Sequence, residues 1–140
     1  MPIEYCIDQK NDVTEVIEGE VVKVSAISFL GDIDKDKGVI VSVDSSCTGC
    51  SITGRILVVE KFRGSTVGTY VIYSLCRKGL APKAIICLEP DPVVVAGAAL
   101  CGIPMIYGVP KNILQQITSG DKVKVIPKRG RLCIVIEKAY

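Results

Sequence analysis

Residues 56–79 read ILVVEKFRGSTVGTYVIYSLCRKG, and the change of period inside them decides the fold. The opening ILVVE is an apolar run of strand length with β-branched side chains, the pattern of a strand buried on both faces. Past Gly64 the apolar positions fall at Val67, Tyr70, Val71 and Leu75. That spacing of three or four places them on one face of a helix, which Gly79 stops. The following segment repeats the strand–helix idea. AIICL at 84–88 reads as a strand, Pro92 opens a helix carried by 93–100, residues 103–107 form another strand, and 110–117 a short helix.

Working outward, residues 15–30 alternate from Glu20 onward as a strand, and GDIDKDKG (31–38) is a polar, turn-rich loop. VIVSV (39–43) reads as a strand and SSCTGCSITG (45–54) as a second loop closed by Gly54. At the other end DKVKVI (121–126) and LCIVIE (132–137) form a hairpin through PKRG. Strands at both ends and helices only in the middle predict an α/β fold of layered mixed β structure, not a doubly wound sheet. No linker or repeat divides the chain, so residues 1–140 read as one domain, with 1–18 as an N-terminal extension or edge segment.

Composition removes several functions. Seventeen Lys and Arg against fifteen Asp and Glu leave a net charge of +2, too balanced for a chain whose main partner is nucleic acid. The absence of histidine excludes a His triad, His metal site or His base within the chain. The uncharged stretch 92–110 approaches the length of a membrane span, but Gly102 and Pro104 break it, so it reads as a buried helix and strand and no membrane is implied. Seven cysteines, at 6, 47, 50, 76, 87, 101 and 133, are an odd number scattered through apolar runs, and the N-terminus lacks a signal-peptide pattern. The expectation is buried free thiols in a reducing cytoplasm.

Three motifs resemble chemistry. Asp32, Asp34 and Asp36 imitate an EF-hand start, but Lys37 and Val43 stand where the loop needs Gly and Glu, so a solvated turn is expected. Cys47 and Cys50 form a lone CxxC in a loop between strands, with no second pair to complete a zinc site and no helix N-terminus to activate a thiol. They read as bystander cysteines, and no metal site is expected in this chain. The third motif is FRGSTVGTY, 62–70, where a strand ends and a helix begins. A helix N-terminus attracts anions, Gly64 admits a ligand close to the backbone, and Arg63 pairs with carboxylate or phosphate. By pattern alone Ser65 or Thr66 is simply the helix cap.

GDID…G (31–38), GRILVV (54–59), residues 62–106 from FRGSTVGTY to GIPMI, and GDKVKV (120–125) resemble, in that order, the aconitase X small-subunit or swivel-domain family. Within the family the chain resembles the stand-alone small subunits of archaeal phosphomevalonate dehydratases, over residues 19–136. The resemblance implies a swivelling β/β/α domain and a separate large subunit carrying a 4Fe–4S cluster, with the active site between the two and no cofactor in this chain. It implies dehydration of (R)-5-phosphomevalonate to trans-anhydromevalonate 5-phosphate. The family's catalytic serine maps onto Ser65 as the base, and Arg63, Gly64 and Thr66 onto contacts with the phosphorylated hydroxy-acid substrate. Gly31 and Asp32 fall in a second shared loop. The absence of a histidine after the second strand removes a residue at which hydroxyproline-dehydrating relatives of the family could contact substrate, and argues for the phosphomevalonate branch. The alternatives are a subunit of such a hydroxyproline dehydratase, or a binding module on the same fold.

Overall fold

The apolar run at 56–59 lies where its composition requires, inside a sheet with a core on each face. The computed structural model describes residues 2–8, 13–43, 45–64 and 67–139. Its elements are β1 (Ile3–Asp8), β2 (Ile17–Ile27), α1 (Phe29–Asp32), β3 (Ile33–Asp34), β4 (Val39–Ile40), β5 (Ile56–Phe62), α2 (Gly68–Arg77), β6 (Ala84–Cys87), α3 (Pro92–Cys101), β7 (Met105–Ile106), α4 (Lys111–Leu114), β8 (Lys122–Lys128) and β9 (Arg131–Glu137). Seven of these strands form one sheet in the order β1-β9-β8-β2-β5-β6-β7. The chain ends build the antiparallel half, since β1 pairs with β9, β9 with β8 and β8 with β2. The middle builds the parallel half, with β2 on β5, β5 on β6 and β6 on β7. Parallel pairing needs crossover connections, and α2 and α3 supply two of them.

β5 divides the two cores. Leu57 and Val59 pack with Val71, Ile72 and Leu75 of α2 and Val94 and Ala98 of α3. Ile56 and Val58 face the other way, onto Ile113, Leu114 and Ile117 and the apolar face of the β8–β9 hairpin. Fully burying one such side chain is worth roughly 1.5–3 kcal/mol, which accounts for the absence of polar residues along residues 56–59. α3 starts as its residues predict: Asp91 accepts at its N-cap from the N–H groups of Val93 and Val94, Pro92 takes the first turn, and Gly102 ends the helix at φ 66°.

Several expectations need correction. The strand expected at 39–43 is only Val39–Ile40, paired with Ile33–Asp34. The 45–54 loop takes over the backbone of Ile40, whose N–H donates to Cys50 and whose C=O accepts from Gly49. The polar 31–38 segment contains the end of α1 and strand β3, and its remainder is the expected turn, with Asp34 Oδ1 accepting from the N–H groups of Asp36 and Lys37. The strand expected at 103–107 shortens to Met105–Ile106 and the helix at 110–117 to Lys111–Leu114. On α2 the buried residues are Gly68, Val71, Ile72 and Leu75, whereas Tyr70, expected on the buried face, is 78% exposed.

The free-thiol expectation also fails. Cys6 joins Cys133, Cys47 joins Cys50 and Cys76 joins Cys101, leaving Cys87 as the free cysteine, buried. Cys6 and Cys133 face each other in the β1–β9 register, and Cys76 and Cys101 close the ends of the two packed helices. Linear spacing discloses neither juxtaposition.

The segment before β8 is pinned by Asp121, which is fully buried. Its carboxylate accepts from the Thr118 N–H at 2.9 Å, the Ala139 N–H at 3.0 Å and the Lys138 ammonium at 2.6 Å. Burial alone would raise its pKa, but these donors together outweigh it and hold the carboxyl below its ordinary value. A depressed carboxylate contributes stability that is complete above the unfolded-state value of 3.8 and lost as pH falls through the lower folded value. The thermal stability of wild type should therefore fall as pH drops from 3.8 through the lower folded value. Asp121→Asn should unfold earlier at pH 7, by about 1–3 kcal/mol, with a flatter acid limb.

Gly97 tests the α2–α3 contact. A Cβ there would lie 3.0 Å from Ile72 Cβ and 3.2 Å from Thr69 Cα, so the helices must part to admit it. Gly97→Ala should lower stability by about 1–2 kcal/mol in denaturant titration, because overpacking exceeds the helix-propensity gain of about 1 kcal/mol.

Candidate active site

The parallel strands β2, β5 and β6 end on the same side, at Ile27, Phe62 and Cys87, and the loops beyond them gather there. Ligands of open α/β sheets bind outside such carboxyl ends. Arg63 follows β5 directly, and its N–H donates to the Ile27 C=O at 2.8 Å, fastening this turn to the end of β2. Its guanidinium lies 4.0 Å from Asp32 Oδ2, with the Arg63 side chain 52% exposed and that of Asp32 14%. Asp32 is also held in place, since the same oxygen accepts from the Ser28 N–H at 2.7 Å. The 28–32 and 63–64 segments are thus braced through backbone and side chain, with the donors of Arg63 presented outward.

Two glycines border this brace, and the fold demands neither. Gly31 and Gly64 are absent from the positive-φ glycines, and a Cβ built on either meets nothing within 4 Å. Bare backbone with open space above it, on both sides of an arginine, suits a ligand that approaches the main chain closely.

Ser65 and Thr66 lie outside the described residues. α2 begins at Gly68, three residues after Ser65, a later start than the period change suggests. Val67 holds the N-cap position and has no side chain able to cap.

A larger cleft of about 610 Å³ lies nearby, lined by Glu60, Lys61, Glu89, Asp91 and Lys111 among others. Its acids offset its lysines, and Asp91 is already committed to the α3 cap, so a multiply charged anion gains little there. The Arg63 brace is the better anion site. Sequence reasoning found Arg63 and Gly64 from the strand–helix junction but missed the role of Asp32 as the partner of Arg63. An acid thirty-one positions away gives no linear signal of that contact.

The cysteine donors do not fit a metal cluster. Glu4, Cys6 and Cys133 cluster among the described residues, but both sulfurs are joined to each other. Burial pushes the Cys87 thiol up to about 12, so it is neither nucleophile nor ready ligand at neutral pH.

The aconitase X swivel-domain profile matches residues 7–134. The chain belongs to the aconitase X swivel-domain family. A phosphomevalonate dehydratase small subunit from Pyrococcus abyssi is 48% identical over 121 residues, covering 86% of this chain and 91% of that protein. One from Methanosarcina acetivorans is 39% identical over 122 residues, covering 86% and 85%. The crystal structure of holo aconitase X from Thermococcus kodakaraensis superposes with a TM-score of 0.80 at 38% identity, over 93% of this chain and 98% of the matched one. The swivel domain with a large mixed sheet, expected from the resemblance, is therefore the observed fold. Among the described residues no helix is long and apolar enough to cross a membrane.

Thiol alkylation of the unreduced protein checks the cysteine assignment. The folded chain should take up essentially no iodoacetamide at pH 8, the unfolded unreduced chain one equivalent at Cys87, and the reduced unfolded chain seven. Rapid labelling of more than one site in the folded chain would contradict it.

Proposed function

We propose that this chain is the small subunit of a hydro-lyase that dehydrates (R)-5-phosphomevalonate to trans-anhydromevalonate 5-phosphate in the mevalonate route to isoprenoids. The observation that carries the proposal is the braced Arg63 between two open glycines, in a chain 48% identical to a phosphomevalonate dehydratase small subunit. The substrate carries a carboxylate and a phosphate, and Arg63 can pair with one of them through two parallel N–H donors. Gly64 and Thr66 hold the same end of the substrate by close backbone and hydroxyl contact.

The reaction removes a proton from the carbon next to the carboxylate and a hydroxyl from the next carbon. The C–H electron pair becomes the new double bond and the C–O pair leaves with the hydroxyl. That hydroxide becomes water by taking up a proton, and the base gives up the proton it took, so the reaction is proton-neutral overall. Ser65 takes the proton. A free hydroxyl is a weak base, so its alkoxide must be stabilised by positive charge, and Arg63 and the N-terminal end of α2 are the sources this chain offers. A 4Fe–4S cluster held by a large subunit would supply Lewis acidity toward the leaving hydroxyl. The active site is completed only when the two subunits meet.

The compartment proposed is the cytoplasm.

The test is dehydration of phosphomevalonate by the reconstituted two-subunit enzyme, followed by product analysis. Ser65→Ala should lower kcat by about 10²–10⁴-fold while subunit association and melting temperature stay near wild type. Thr66→Ala and Arg63→Lys should act mainly on KM. Near-normal turnover by Ser65→Ala would remove the base assignment. Turnover of a hydroxyproline in place of phosphomevalonate would remove the substrate assignment.

A further inference from the structure

α2 carries more apolar surface than the core uses. Its buried stripe is Gly68, Val71, Ile72 and Leu75, while Tyr70 is 78% exposed and Tyr73 41% exposed. Across from it Leu30 of α1 is 61% exposed. Leu30 and Tyr70 are the lips of a groove of about 540 Å³ between α1 and α2, floored by Ile33 and Val71 and entered beside Lys35. A leucine and a tyrosine facing each other across a concave apolar surface are the kind of anchor pocket found at the centre of protein interfaces.

The groove is continuous with the candidate active site. Leu30 lies next to Gly31 and two residues from Asp32, and Val67, on the opposite wall, is two residues from Ser65. The groove thus borders, along the chain, the segments that carry Arg63, Gly64 and Asp32, and a protein closing over them has it within reach. The described charges at the groove favour an acidic visitor, because Lys35 lines it while Asp36, the neighbouring acid, is paired with Lys78 at 2.6 Å. We infer that the α1–α2 groove is the seat of the large subunit, receiving an apolar projection of that protein flanked by a carboxylate that meets Lys35. The inference rests on the proposed two-subunit enzyme and adds the surface that holds it together.

The groove is rigid on the α2 side, as a docking site should be if ordering is not to be charged against binding. The hydroxyl of Thr69 donates to the Val93 C=O, and the far end of α2 is bonded to α3 through Cys76 and Cys101.

The experiment measures association of the purified chain with its large subunit by calorimetry, alongside turnover at rising large-subunit concentration. Leu30→Glu/Tyr70→Glu should weaken association by at least about 100-fold, as expected when two anchor side chains are replaced by charges. Turnover should return toward wild type at saturating large subunit. Tyr70→Phe should bind normally, and Leu100→Glu, on the exposed end of α3, should bind normally as well. Lys35→Glu should weaken association, and its effect should shrink at high salt. Wild-type affinity in a folded Leu30→Glu/Tyr70→Glu variant would overturn the groove assignment while leaving the two-subunit reading intact. Failure of the wild-type chain to bind the large subunit at all would overturn that reading itself. A wild-type chain that dimerises alone, and becomes monomeric in the double variant, would assign the groove to a second copy and overturn the inference.

Discussion

Burial of β5 on both faces is the constraint on which the rest of the structure depends. A strand covered on one side needs only alternate apolar residues, but Ile56, Leu57, Val58 and Val59 are each fully buried, and each demands a partner layer. α2 and α3 cover one face, and the 109–117 segment with the curled β8–β9 hairpin covers the other. With both covers in place, β5 can leave the sheet only at its carboxyl end. There Glu60 and Lys61 break the apolar run and Arg63 emerges. The site is where this strand first meets water.

That position sets the character of the site. Arg63 is not an isolated surface cation. Its backbone is tied to Ile27, and its side chain stands beside a carboxylate itself fixed by the Ser28 N–H. A half-exposed pair of this kind adds little to stability in water, typically below about 1 kcal/mol. Its value lies in holding a planar donor array in one orientation before an anion arrives, so less freedom is lost on binding.

The central strand–helix–strand segment was legible because its periodicity changes abruptly, from an unbroken apolar run to a spacing of three and four. Pro92 and Gly102 marked the ends of α3 for chemical reasons that act within one turn of helix, whereas the Asp91 cap emerged only from the structure. Two-residue strands such as β3 and β4 have no period to read, and their pairing depends on loop hydrogen bonds made elsewhere. Tyr70 misled because an apolar position that shares a helix face with core residues need not itself be buried, and the core stripe of α2 runs through Gly68, Val71, Ile72 and Leu75 instead. The cysteine pairs were invisible because cross-strand register and helix packing are three-dimensional facts. Arg63 and Gly64 could be named from the strand–helix junction. The significance of Ser65 came through family resemblance, since its residues alone argued for a cap.

The bond between Cys6 and Cys133 spans 127 positions and gives the molecule an unusual connectivity. The segment between the two cysteines becomes a closed loop. A single backbone cut anywhere between those cysteines opens the loop without dividing the protein, so a nicked molecule keeps all its pieces covalently joined. The linear order of elements then matters less than their cyclic order. A chain rewired to begin in the 45–54 loop, with its old ends spliced beside the β1–β9 edge, would preserve the sheet order.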